Sequence, residues 1–88
     1  MMLSRDITLV NSVGLHARPA TFFIQKANSY RCSIWIESNG RRANAKSLLG
    51  VLSLGIRKGD SVTLIADGTD ESEAIEGLCD LILSGFAD

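Results

Sequence analysis

The sequence predicts an α+β domain, one antiparallel sheet with helices packed on a single face. Three observations carry that reading. Short runs that alternate polar and apolar residues are interleaved with segments of helical periodicity, in the order βαββαβα. Glycine-bearing turns separate most of these runs, and no linker, repeat or low-complexity segment breaks the series. The chain has 88 residues, 45% of them hydrophobic, enough for one small core and one domain over residues 1–88. A domain so thin has little room for a deep substrate cavity. Helices on one face leave the other face of the sheet partly to solvent.

Each element has its own signal. Asp6-Ile7-Thr8-Leu9-Val10 alternates before thickening and reads as a half-buried first strand. Residues 11–15, with Gly14, read as a loop. Pro19 suits a first helical turn, where its missing N–H does no harm, and Ala20, Phe23, Ile24 and Ala27 recur at helical spacing, giving a helix over about 18–29. Arg31 to Glu37 alternates as a second strand. Asn39-Gly40 is the strongest hairpin signal in the chain and turns it into a short third strand, Arg41 to Asn44. Ser47 offers an N-cap to a helix over Leu48 to Leu54, and Gly55 offers its stop. After a turn at Lys58-Gly59-Asp60, Ser61 to Ala66 forms the fourth strand. Asp70 and Glu73 have capping-box spacing ahead of a final helix over about 70–84. That helix turns Ala74, Ile75, Leu78, Leu81 and Ile82 toward the core, and Gly85-Phe86 folds back at its end.

Charge is distributed unevenly. The formal net charge is −1. Residues 1–58 hold all nine basic side chains against two acids, a net +7, while residues 59–88 hold eight acids and no base, a net −8. Such polarity points to charged partners. No apolar run approaches the roughly 20 residues that span a bilayer, and the charged pair Arg5-Asp6 interrupts any secretory leader at once. Cys32 and Cys79 lack metal-ligand spacing, and with a single histidine no multi-ligand metal site is expected. Reduced thiols in a cytoplasmic protein are the simplest expectation. The aromatic residues form no RNA-recognition motif, and the C-terminal acids oppose phosphate backbones, so nucleic acid is not an expected partner.

His16 lies just before Pro19, at the expected start of the first helix. Backbone N–H groups there have no intrahelical acceptor, and the positive end of the helix favours anions. It also disfavours imidazolium and so keeps a ring nitrogen free as a nucleophile. Arg18 supplies a planar fork for phosphate oxygens. A lone histidine at a helix start is more often a surface or capping residue, so position alone does not decide its role.

The residues Gly14-Leu15-His16-Ala17-Arg18-Pro19-Ala20 resemble the active-site signature of the HPr family, the histidine-containing phosphocarriers of the phosphoenolpyruvate-dependent sugar phosphotransferase system. A second segment, Asn39-Gly40 through Asn44-Ala45-Lys46-Ser47-Leu48-Leu49-Gly50-Val51-Leu52-Ser53-Leu54-Gly55, resembles the same family's motif around its regulatory serine. The resemblance implies an HPr-like open-faced β-sandwich: a four-stranded antiparallel sheet with three helices on one face. It also implies a relay without cofactor or metal in the carrier. Enzyme I passes phosphoryl to Nδ1 of His16, beside Arg18, and phospho-His16 passes it to the IIA domain of a sugar permease. The carrier is then a stoichiometric intermediate, not an enzyme, and is expected to be a monomer with no membrane insertion.

Ser47 has two compatible roles. As an N-cap it contributes about 0.5–2 kcal/mol to its helix. By resemblance it is the target of an HPr kinase/phosphorylase, and phospho-Ser47 then engages catabolite control protein A. The helix it caps is apolar on too many sides for one core. Val51 and Leu54 are assigned to the core, and Leu48, Leu49 and Leu52, with Lys46 and Arg18, to a partner-docking patch. Leucine stands where the family often has Ile or Met. Two alternatives stay open: a regulatory binding module acting through phospho-Ser47, and a nitrogen-type phosphocarrier. The acidic C-terminal segment is expected to lie away from a basic, partly apolar docking face.

Overall fold

Strand alternation sorts the side chains of the sheet onto two faces, and the computed structural model, which describes residues 2–10 and 17–86, shows that only one face is covered. The elements are β1 (Met2–Thr8), α1 (Ala17–Asn28), β2 (Ser33–Ser38), β3 (Arg41–Asn44), α2 (Leu48–Ser53), β4 (Ser61–Asp67) and α3 (Glu71–Leu83). This is the expected βαββαβα order. The strands form one sheet in the order β1-β4-β2-β3, with every neighbouring pair antiparallel.

The covered face carries Ile34 and Ile36 from β2 and Val62, Leu64 and Ala66 from β4. Against it lie Ala20, Phe23 and Ala27 of α1, Val51 of α2, and Ala74, Ile75, Leu78 and Ile82 of α3. Leu81, expected to face the core, is only partly buried, as is Ile24. Burial of Phe23 alone contributes roughly 1.5–3 kcal/mol. On the open face Trp35 stands directly across from Ile65. Ile65 retains only 6% exposure yet lies outside the core cluster, as an aromatic–β-branched cross-strand pair explains.

Local chemistry fixes the turns. Asn39 and Gly40 both have positive φ, 53° and 76°, as a type I′ hairpin requires. At the end of α3 the Phe86 N–H donates to the Leu81 carbonyl (2.9 Å) and the Gly85 N–H to that of Ile82 (3.0 Å). These two bonds are a Schellman motif, and Phe86 is folded back and buried as its apolar partner.

Two expectations need correction. The first strand begins at Met2 and ends at Thr8, earlier than Asp6–Val10. As an edge strand it has little side-chain burial, so its alternation is mostly polar. Leu9 leaves the strand for the core, while Val10 is exposed. The capping box at Asp70 does not form. Asp70 occupies the cap position of α3 but makes no cap bond there. Its carboxylate instead accepts the N–H groups of Arg31 (2.8 Å) and Cys32 (2.9 Å), tying the exit of α1 to the entry of α3. Glu71 serves the turn locally, accepting the Gly68 N–H at 3.0 Å.

The bond from the Arg31 N–H, more than any other influence, holds the Asp70 carboxyl below its ordinary range. A carboxylate depressed in the folded state stabilises above its unfolded pKa, and that stability is lost as pH falls through the folded value. Asp70→Asn is therefore expected to lower Tm at pH 7, with the deficit constant down to about pH 4 and shrinking below it. Melting curves from pH 2 to 8 check this.

Candidate functional site

The two motif segments meet along α1. Its first turn holds Ala17 and Arg18, the residues that follow His16 in the chain. His16, Gly14 and Leu15, and with them the expected loop and presentation of the imidazole, lie outside the described residues. Arg18 is exposed and, among the described residues, makes no hydrogen bond or ion pair. Its guanidinium is free to meet an anion.

Ser47 caps α2. Its backbone is extended, at φ −109° and ψ 116°, and its Oγ accepts the Gly50 N–H at 3.1 Å. The helix behind it places Val51 and Leu54 in the core, as expected, whereas Leu52, assigned to the docking patch, packs partly against that core. Leu48 and Leu49 are exposed at 40% and 81%. Leu49 is thus the most open large apolar side chain among the described residues.

Lys46 is placed differently from Arg18. Its ammonium donates to the Tyr30 carbonyl at 2.7 Å, just beyond the last turn of α1, and its own carbonyl accepts from Asn28 Nδ2 at 3.3 Å. The two cations therefore stand at opposite ends of α1, about 18 Å apart along a twelve-residue helix. They do not form one basic patch. Lys46 anchors α2 to the negative end of α1. Neither Asn28 nor the Tyr30 carbonyl was among the sequence candidates. An amide and a carbonyl 16–18 residues from their partner leave no periodic signal.

Strand direction sorts the other charges. The end of the sheet where β1 and β2 finish carries Arg41, Arg57 and Lys58, all exposed. The first turn of α1, with Arg18, lies toward this end, because its last turn is held at the other. The opposite end carries Asp67, Asp70, Glu71 and Glu73. Exposed Glu76 and Asp80 continue along α3, which packs on the side of α1 away from α2. The acidic segment thus lies away from Arg18, while Ser47 sits at the same end of the sheet as the acids that lead into α3.

Cys32 adjoins Asp70, Lys46 and a shallow cleft lined also by Arg31, Trp35 and Asn44. Burial first, then the Asp70 carboxylate, push its thiol up to about 11, which leaves it protonated and unreactive. Burial also pushes the Cys79 thiol up. Both cysteines are unbridged. Among the described residues no cluster of His, Cys, Asp or Glu could hold a metal ion, and no helix is long and apolar enough to cross a membrane.

Among the described residues, this small open-faced domain opens α1 with an exposed arginine and caps α2 with a serine. The model of the family described as "PTS HPr component phosphorylation site" matches residues 3–84. An HPr-like protein Crh of Halalkalibacterium halodurans is 44% identical over 77 residues, covering 88% of this chain and 92% of that protein. A phosphocarrier protein HPr of Neisseria meningitidis is 39% identical over 87 residues, covering 99% and 98%. The crystal structure of an HPr from Thermoanaerobacter tengcongensis superposes with a TM-score of 0.95 at 45% identity, covering 98% of this chain and 97% of that one. The chain belongs to the HPr family of phosphocarrier proteins of the phosphotransferase system.

The anchoring role of Lys46 has a measurable consequence. Lys46→Met keeps the stem and removes the charged donor, and is expected to lower stability by about 1.5 kcal/mol. Denaturant titration checks this; an unchanged midpoint would show that the ammonium is not held by the Tyr30 carbonyl.

Proposed function

We propose that the chain is a one-domain, monomeric cytoplasmic phosphocarrier that accepts a phosphoryl group on His16 from phospho-Enzyme I and donates it to the IIA domains of sugar permeases. The observation that carries this reading is the segment Gly14–Ala20, which runs directly into the first turn of α1 in a chain of the HPr family. An imidazole nitrogen of His16, Nδ1 by resemblance, attacks the phosphorus. A P–N bond forms as the bond that holds the phosphorus to phospho-Enzyme I breaks. In the second step the new P–N bond breaks as a nucleophile of the IIA partner takes the group. Arg18 is free to hold the phosphoryl oxygens, and the first-turn N–H groups of α1 add fixed donors. The chain need not be an enzyme: it presents one group to two partners in turn.

Leu48 and Leu49, with Leu52 beneath them, supply the apolar contact for those partners, and Arg18 the charged one. Arg41, Arg57 and Lys58 add long-range attraction for acidic surfaces. Lys46 contributes through the position of α2 rather than by direct contact. Ser47 is the site of ATP-dependent phosphorylation by an HPr kinase/phosphorylase.

A second reading has its own support. The 44% identity to a Crh protein favours a regulatory module in which phospho-Ser47 engages catabolite control protein A. Resemblance sets His16 against that as a sole role, because paralogues specialised for regulation typically lack the active histidine; one chain can serve both. A nitrogen-type carrier is separated from the sugar type by comparing transfer to the two classes of IIA protein.

Incubation with Enzyme I and phosphoenolpyruvate is expected to label the chain with one acid-labile phosphate, and His16→Ala to abolish it. Normal labelling of that variant would sink the reading. Ser47→Asp places a charge beside the Leu48–Leu49 surface. It is expected to slow labelling of His16 roughly tenfold, an effect of about 1.4 kcal/mol on the encounter, while Tm stays within a few degrees. Stopped-flow transfer and calorimetry measure the two.

A further inference from the structure

Seven glycines lie among the described residues, and two of them, Gly50 and Gly77, have no positive φ to explain them. Both lie inside helices, where alanine would be favoured roughly fivefold. At Gly77 packing supplies the reason, since a Cβ there would lie 2.0 Å from the Tyr30 hydroxyl. At Gly50 the nearest atoms to a Cβ are Ser47 Oγ at 3.2 Å, Ser47 Cβ at 3.3 Å and Ala43 Cβ at 3.5 Å. The space that Gly50 leaves open is therefore the space beside one hydroxyl.

We propose that Gly50 is the specificity-determining residue for modification at Ser47: its missing side chain is the room that a phosphoryl group on Ser47 Oγ enters. Ser47 is only partly exposed, with Ala43 on one flank and Gly50 on the other. A hydroxyl alone tolerates a methyl group at 3.2 Å with a small shift. A tetrahedral phosphate on the same oxygen does not, because its three further oxygens need the volume the methyl would take. The Gly50 N–H already points at Ser47 Oγ and becomes a donor to the phosphate. Lys46, next in sequence, is held by the Tyr30 carbonyl and is not the counter-ion. Six residues are too few for α2 to act as a dipole, so space and one N–H group carry the argument. The transfer is a displacement at the γ-phosphorus of ATP. Ser47 Oγ forms a bond to phosphorus, the bond to the bridging oxygen breaks, ADP leaves, and the hydroxyl proton passes to a base of the kinase.

This inference rests on the reading of Ser47 as a kinase target, and two measurements separate them. In the first, phosphoserine is installed at position 47 during translation, in chains with Gly50 and with Gly50→Ala, and each is melted beside its unmodified counterpart. Phosphoserine is expected to leave the Gly50 chain's Tm within about 2 °C and to lower that of Gly50→Ala by about 5 °C or more. The Gly50 amide proton is expected to move downfield in NMR spectra of the phosphorylated Gly50 chain. Equal Tm shifts in both backgrounds would overturn the proposal. In the second, a bacterial HPr kinase and ATP are added to both unmodified chains. Gly50→Ala is expected to slow Ser47 labelling at least about tenfold, with acceptance by His16 from Enzyme I unchanged. Equal labelling rates would also overturn the proposal. If neither chain is labelled, the kinase reading of Ser47 fails, and the melts alone decide the role of Gly50.

Discussion

The seat of α1 between α2 and α3, over the covered face of the sheet, is the constraint on which the rest of the molecule depends. Three side chains on one stripe, Ala20, Phe23 and Ala27, are fully buried in the core that also holds Ile34, Ile36 and Leu64, and the helix packs between α2 and α3. Two of the three are alanines, so the helix lies close to its neighbours and its axis has little freedom to shift. Its far end is held twice more. Lys46 and Asn28 join it to the approach of α2, and Asp70 fastens the chain leaving it to the entry of α3. A helix fixed along its length and at its last turn has its first turn fixed as well. That first turn is where the phosphoryl chemistry is proposed to happen.

Functional division follows from the same geometry. The charge count along the chain suggested a single basic face holding Arg18, Lys46 and Ser47 together. In the folded protein one helix length separates Arg18 from Lys46, and the ammonium of Lys46 has a structural task. The basic side chains exposed toward one end of the sheet are Arg18, Arg41, Arg57 and Lys58, and these are the ones proposed to face a partner. Ser47 belongs to the other end. The phosphate proposed for Ser47 would therefore act through the neighbouring leucine surface rather than by quenching a cluster of cations. α2 is the element that connects the two ends, because it leaves Ser47 and leads by way of Gly55 to Arg57.

Most of the fold was legible because its signals are local. Asn39-Gly40 dictates a tight hairpin, Ser47 and Gly55 bracket a short helix, and Gly85-Phe86 closes α3 through backbone bonds to residues three and five positions earlier. Two of the failures share a cause. Asp70 sits three residues before Glu73, which is capping-box spacing, but its true partners are 38 and 39 residues away. Nothing local announces that choice. Lys46 was counted as surface charge because its acceptor is a backbone carbonyl, which sequence does not display. The first strand was placed too late because an edge strand keeps polar side chains on both faces. Gly50 went unread for the same reason as Lys46: a glycine inside a six-residue helix asks for an explanation, and the position of Ser47 Oγ, which the sequence does not display, supplies it.

The most direct test of the account is the chemical bond it requires at His16. Phosphorus–nitrogen correlated NMR on the 15N-labelled chain, after reaction with Enzyme I and phosphoenolpyruvate, reports which atom carries the group. One phosphorus resonance coupled to an imidazole nitrogen of His16, Nδ1, is expected, and it disappears when a IIA protein is added. Phosphorus found only as an acid-stable ester, with no coupling to any histidine nitrogen, would contradict it.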